Sequence, residues 1–193
     1  MATAAYLEFE RQLNSQGREY GQGFLESHFA GMTSEEKYLA AKALEAKAIR
    51  GDPVAINGVA LMEPELAQPI LLKVYNECRG YSSGSCEAAF ALFQLIKDKK
   101  YFDYLVIGAK QGSPNIVWQC VHLLSQITND DFASDLGNLW RYIVLENEDT
   151  VLRHIAAKRL LGEGDIVSES SRPTILNLIS DDVDVRKSAL SEL

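Results

Sequence analysis

The side chains best equipped for chemistry in this chain are three histidines, His28, His122 and His154, and three cysteines, Cys78, Cys86 and Cys120. The sequence contains no HExxH, no CxxC, no GxSxG and no phosphate-cradling glycine loop, so zinc hydrolysis, dithiol exchange and acyl transfer all lack their usual frame. Cys120 and His122 lie closest together, but side chains two apart on a helix point about 200° apart, which keeps them from ligating one metal. Cys78 and Cys86 flank the loop Gly80-Tyr-Ser-Ser-Gly-Ser85 and could meet on oxidation. A free thiol in an apolar stretch is otherwise a small core residue. Carboxylates are plentiful, but paired carboxylates along turns are expected in any acidic helical chain, and no group converges with them as catalysis would require. The expectation is a protein that is not an enzyme and needs no cofactor and no metal.

Charge narrows the range of partners. The 193 residues carry a net charge of -8, spread as eleven acids against eight bases in residues 1–80 and sixteen against eleven in residues 81–193. That field repels polyphosphate, and the sole lysine cluster, Lys97, Lys99 and Lys100, reads as a solvated helix end, so no nucleic acid is expected. An acidic surface suits a basic protein. No apolar run approaches the ~18 residues of a membrane span. The opening residues Met1-Ala-Thr-Ala-Ala-Tyr-Leu-Glu-Phe-Glu lack the basic region and long apolar segment of a signal peptide. A cytoplasmic protein that engages no membrane is expected, with a length that suits one domain. The sequence sets no oligomeric state.

The elements that must position these side chains announce themselves by repetition. Ser113-Pro-Asn-Ile-Val117, Asn147-Glu-Asp-Thr-Val151 and Asp181-Asp-Val-Asp-Val185 each open an apolar-periodic stretch, with the valines 34 residues apart. A further copy appears when residues 85–105 are laid over 116–136, which aligns Phe90 with Val121, Ile96 with Ile127 and Tyr101 with Phe132. Self-similarity at this period signals stacked helical hairpins. Hydrophobic spacing predicts helices from Thr3 to about Asn14 and over Tyr20–Phe29, then from the capping box Thr33-Ser-Glu-Glu36 to Ile49. Asp52-Pro53 starts a short helix to Met62, weakened at Asn57-Gly58, and Pro64 starts another to Cys78. Further helices are expected over 86–97, 101–110, 114–127, 131–145, 150–161, 173–179 and from Val183 onward. No stretch alternates with period two, so no sheet is expected.

On these residues the chain resembles the HEAT-like, armadillo-type helical repeat family. The last copy carries the pattern best: Pro173-Thr-Ile-Leu-Asn-Leu-Ile, an acid at Asp181 or Asp182, then Val185-Arg186 and Ala189. Earlier copies keep Val117 and Val151, but Trp118 and Leu152 replace the arginine and cysteine stands at position 86. Leu39-Ala-Ala-Lys-Ala-Leu44 echoes Ile155-Ala-Ala-Lys-Arg-Leu160. The resemblance implies an all-α fold, an α-α superhelix of about five hairpins. It forms one domain over 1–193, with 1–32 as an atypical N-terminal cap and 33–193 as repeats. Which early helices line the inner face stays open, because counting from Thr33 and from Asp52 gives opposite parity. The resemblance also implies a protein-binding surface and transfers no catalytic residue.

In helix 114–127 the expected core stripe is Val117, Cys120, Val121, Leu124 and Ile127, leaving Asn115, Gln119, His122, Ser125 and Gln126 opposite. Trp118 on that polar side is either packed under a neighbour or an interface anchor. With Leu152, Arg153, Ala156 and Arg159 as the corresponding positions of the next repeat, a groove would present Trp118, His122, Arg153 and Arg159, unless the arginines balance nearby acids. Acids recur at repeat boundaries: Asp130, Asp131 and Asp135; Glu146, Glu148 and Asp149; Glu163, Asp165 and Glu169; Asp181, Asp182 and Asp184. They either cap helices or form a rim that steers a basic partner. Size, charge and missing catalysis resemble bacterial immunity proteins, small acidic chains that occlude a basic toxin, often a nuclease. The alternatives are a scaffold or assembly subunit of a larger complex and, against the charge, a HEAT-like nucleic-acid enzyme.

Overall fold

In the computed structural model, which describes residues 2–78, 80–128, 130–164 and 166–193, every described element is helical or turn. Capping chemistry sets most boundaries. Helix α1, Ala4–Asn14, begins where the Thr3 hydroxyl accepts the Tyr6 N–H, and α2 is the short turn Gly17–Gly21. Helix α3, Ser34–Ala48, starts from the reciprocal Thr33–Glu36 capping box. Helix α4, Pro53–Ala60, starts from the Asp52 carboxylate, which accepts the Val54 and Ala55 N–H groups. Then come α5, Pro64–Glu77; α6, Ser83–Ile96, capped by Ser82; α7, Lys99–Gln111, capped by Asp98; and α8, Pro114–Leu124. The remaining helices are α9, Ala133–Glu146; α10, Thr150–Leu160; α11, Arg172–Leu178; and α12, Val183–Ser191. Among the described residues no helix is long and apolar enough to cross a membrane.

The chain divides into two compact units, Met1–Cys120 and Val121–Leu193, with the boundary inside α8. In the first unit α3 pairs with α4 and α5 with α6, and these hairpins meet through α3 against α5 and α4 against α6. Pairing of every second helix is what stacked hairpins produce. The core between them is fully buried Leu44, Ile56, Leu71, Leu92 and Phe93, continued by Leu105 of α7. Two glycines allow the approach. A Cβ on Gly84 would stand 2.7 Å from the Gly51 Cα, and one on Gly58 would stand 2.7 Å from the Phe24 ring. Asn57-Gly58, a weak point by propensity, is thus the place where α4 gives room to an aromatic side chain.

The expected helix over Tyr20–Phe29 does not form. The chain leaves α2 at Gly21, passes Gly23 at φ 80 and makes only a 3₁₀ turn over Glu26–His28. Glycine tolerates that backbone, and the bend turns Phe24 and Phe29 onto Phe9, with ring centroids 5.4 and 5.8 Å away. Glu36 ties this aromatic cap to α3. Its carboxylate accepts the Thr3 N–H at 2.7 Å, the Thr3 hydroxyl at 3.0 Å and the Thr33 N–H at 2.8 Å. The backbone donors of Thr3 and Thr33 hold the Glu36 pKa down at about 2.

In the second unit the main pairings run α9 with α10, α10 with α11, α11 with α12, and α12 back to α9. Leu139, Ile143, Val144, Leu152, Ala156 and Leu178 fill the centre. The two hairpins share a register of 33 residues. Asp149 caps α10 through the Val151 and Leu152 N–H groups, and Asp182 caps α12 through those of Asp184 and Val185. The valine spacing of 34 therefore slips by one. Arg153, not Leu152, is the counterpart of Arg186.

The boundary also redistributes charge. Residues 1–120 hold fourteen acids and twelve bases, whereas residues 121–193 hold thirteen acids and only seven bases. Six of the eight excess negative charges thus sit in the smaller unit, a concentration that a division at residue 80 hides.

Candidate protein-binding edge

The turn from α9 to α10 and the turn from α11 to α12 are held by two buried arginines. Arg153 is 3% exposed and Arg186 is 5% exposed. Arg153 Nη1 donates to the Asn147 and Glu148 carbonyls at 3.1 and 3.2 Å. Its Nη2 donates to Thr150 Oγ1 at 3.1 Å, to the Ile179 carbonyl at 3.0 Å and to Asp181 Oδ1 at 2.7 Å. Arg186 Nη1 reaches the Ser180 carbonyl, and its Nη2 reaches the Leu145 carbonyl at 3.0 Å. Each arginine thus serves the turn before its own helix and then crosses to the end of the other hairpin's first helix. The carbonyls it meets are those a helix C-terminus leaves without partners, and a cation there also answers the helix dipole.

Around this frame lies a cavity of about 410 Å³, lined by Leu145, Glu146, Asn147, Glu148, Asp181 and Val183 together with the two arginines. The carboxylates divide by task. Asp149 and Asp182 accept backbone N–H groups and are tied to capping. Asp181 gives one oxygen to Arg153 while its side chain stays 97% exposed. Glu146 and Glu148 are exposed, and neither makes an ion pair among the described residues. Asp184 is exposed as well and has Lys187 at 3.6 Å. The terminal nitrogens of the inner guanidiniums go mostly to backbone carbonyls, and Asp181 is the one carboxylate among the described residues that either arginine meets. The edge can accept hydrogen bonds from lysine or arginine side chains of a partner. It holds no paired nucleophile and base.

Of the residues expected to form one recognition groove, the two arginines line different cavities. Trp118 is 47% exposed on the part of α8 that belongs to the first unit, and His122 is exposed on the part that belongs to the second. Arg153 is not a surface group: its guanidinium is committed to carbonyls that a surface reading of α10 does not anticipate. Arg159 is exposed and lines a different cavity together with Asp130, at the end of the α9–α10 hairpin away from the 147–149 turn. Asp131 is exposed beside it in sequence, and Asp165 lies outside the described residues. On α8, Ile116 rather than Val117 enters the core, and just beyond its end Ser125 is buried with its hydroxyl donated to the His122 carbonyl at 2.7 Å.

Two pairings escaped the sequence. The recurrence of aspartate followed four residues later by arginine, Asp149 to Arg153 and Asp182 to Arg186, was the available sign of the clamp. The other is Cys86 with Cys120, both buried, their sulfurs 3.5 Å apart. Cys86 accepts the Cys120 thiol, and that bond together with burial pushes the Cys120 pKa up. Cys78 instead lies beside Gly84. Among the described residues no three histidine, cysteine or carboxylate side chains converge as a metal site would require.

No family model matches the chain, and no curated protein and no solved structure matches it.

Proposed function

We propose that this chain is a HEAT-like helical-repeat module, not an enzyme, that binds a basic protein through the acidic edge of its second unit. The observation that carries the reading is the convergence of Glu146, Glu148 and Asp181 around one cavity whose backbone is locked by Arg153 and Arg186. The arginine-held turns fix the backbone from which these carboxylates project, which limits the entropy lost on association. The local excess of acid steers a cationic partner and discriminates against polyphosphate. The alternating helix pairing of the first unit supports the HEAT-like solenoid. The most concrete form of this function is an immunity-type inhibitor that covers the cationic active site of a toxin, such as a nuclease.

A second reading, a scaffold or assembly subunit, draws on the first unit. There Tyr38, Leu66, Pro69 and Ile70 line a groove of about 270 Å³ between α3 and α5. An assembly partner seated there would bind through apolar area and respond weakly to salt.

Affinity capture from the native host, in parallel with Glu146→Lys/Glu148→Lys, separates the readings. The expected result is a basic protein retained at low salt, released at high salt, lost by the double variant and inhibited in its own activity by the wild-type chain. Retention that ignores both salt and charge reversal would overturn the acidic-edge reading. If Tyr38→Ala alone then abolished that retention, the scaffold reading would stand.

A further inference from the structure

At the end of the α9–α10 hairpin away from the acidic edge lies a cavity of about 550 Å³. Its apolar wall is Ile127, Leu136, Trp140 and Leu160, and two cations, Arg141 and Arg159, reach it. Both guanidiniums are underused. Among the described residues Arg141 makes one hydrogen bond, from Nη1 to the Leu190 carbonyl at 3.2 Å. Arg159 makes none through its side chain among the described residues, although acids outnumber bases nearly two to one in this unit. The acids of the lining leave it alone. The two oxygens of Glu163 accept from Ser168 and Ser171, which hold its carboxyl below the ordinary range, and Asp130, which also lines the cavity, makes no ion pair with either arginine among the described residues. Trp140 is 4% exposed, and its indole N–H has no acceptor among the described residues.

Gly137 gives this cavity its opening. It stands inside α9, where glycine weakens a helix relative to alanine. A Cβ there would meet nothing within 4 Å, so neither packing nor backbone conformation calls for glycine. Gly137 is itself part of the cavity lining. A helix that keeps a glycine where any residue fits leaves space in front of Trp140 and Arg141.

We propose that this cavity binds a carboxylate carried on a compact apolar body, the body against Trp140 and Leu136 and the carboxylate between Arg141 and Arg159. Guanidiniums recognise carboxylates through paired N–H donors, and an apolar wall beside them raises the value of those bonds by excluding water. The site is independent of the acidic edge and does not rest on it. Such a ligand is either a free small acid or the C-terminal residue of a protein chain.

Calorimetric titration tests it with naphthalene-1-carboxylate, its neutral carboxamide, and a tetrapeptide ending in phenylalanine with its carboxylate free or amidated. The expected result is binding of at least one free carboxylate and of neither neutral form. Arg159→Gln should weaken binding about tenfold, the worth of one charge-assisted hydrogen bond. Gly137→Leu should abolish binding while the variant unfolds at the same or higher urea concentration, which shows that the space and not the fold was lost. The naphthoate arm identifies a small-molecule site and the peptide arm a C-terminal one. Binding of neither carboxylate, equal binding of the amides, or unchanged binding by Gly137→Leu overturns the proposal.

Discussion

Arg153 and Arg186 clamp each other's hairpins: Arg153, on α10, holds the Ile179 carbonyl at the end of α11, and Arg186, on α12, holds the Leu145 carbonyl at the end of α9. The Nε of each lacks a partner among the described residues, and both are closed to water. Such a crossed pair makes the two acidic turns one mechanical object. Arg153→Met should remove about 3 kcal/mol of stability, because buried carbonyls lose a charged donor. Arg186→Met should cost a similar amount. The double substitution should fall short of the sum by about 1 kcal/mol, as expected for groups that share an interface. Urea unfolding followed through buried Trp140 reads this, and an unchanged midpoint for either single variant would refute the clamp.

Glu36 predicts an acid transition in the first unit. Its pKa falls from 4.5 to about 2 on folding, so the carboxylate contributes stability that is fully present above 4.5 and is lost as pH drops toward 2. Glu36→Gln should be less stable than wild type at neutral pH, and the gap should close over that acid window. Thermal midpoints measured across this range check the sign. A gap that stays constant at every pH would mean that the Thr3 and Thr33 contacts do not depend on the charge.

How much of this could be read in advance depended on the range of the interaction. Boundaries set by a local cap, such as Thr33 with Glu36 or Asp52 before Pro53, were legible because donor and acceptor lie within three residues. The Tyr20–Phe29 segment differs because its apolar spacing suits a helix while Gly23, at φ 80, breaks it, and only the position of Phe9 shows where the rings go. Asp181 and Asp182 were interchangeable in the sequence. In the fold Asp182 caps α12 and Asp181 meets Arg153. The burial of Arg153 was illegible from α10 alone, since the carbonyl that helps draw it inward belongs to Ile179.

Two close glycine contacts should differ in cost. At Gly58 the added methyl meets Phe24 and Leu44 side chains, which can yield, whereas at Gly84 it meets the Gly51 backbone at 2.7 Å. Gly84→Ala should therefore cost about 2 kcal/mol, within the range of overpacking, and Gly58→Ala less. Chemical denaturation of both variants decides it. Equal losses would show that the backbone at Gly51 moves as readily as a phenyl ring.

Thiol reactivity should separate the cysteines. Cys78 is half-buried, whereas Cys86 and Cys120 are buried in mutual contact. Iodoacetamide applied to the folded protein should label Cys78 first and the other two only after denaturant is added. Peptide mass spectrometry gives the order. Early labelling of Cys120 would contradict the packing of α8 on α6.

The aromatic cap of Phe9, Phe24 and Phe29 bears on how the chain behaves at high concentration. Helical hairpins that stack on one another leave a sticky face at each end, and a second copy adding there head to tail would start a filament. Here Phe24 already occupies the hollow over Gly58 and Leu44, and Glu36 fastens the cap through Thr3. The hollow over α3 and α4 is thus already filled by the chain's own residues. Lengthening by duplication would have to enter after α4, since the place before α3 is taken.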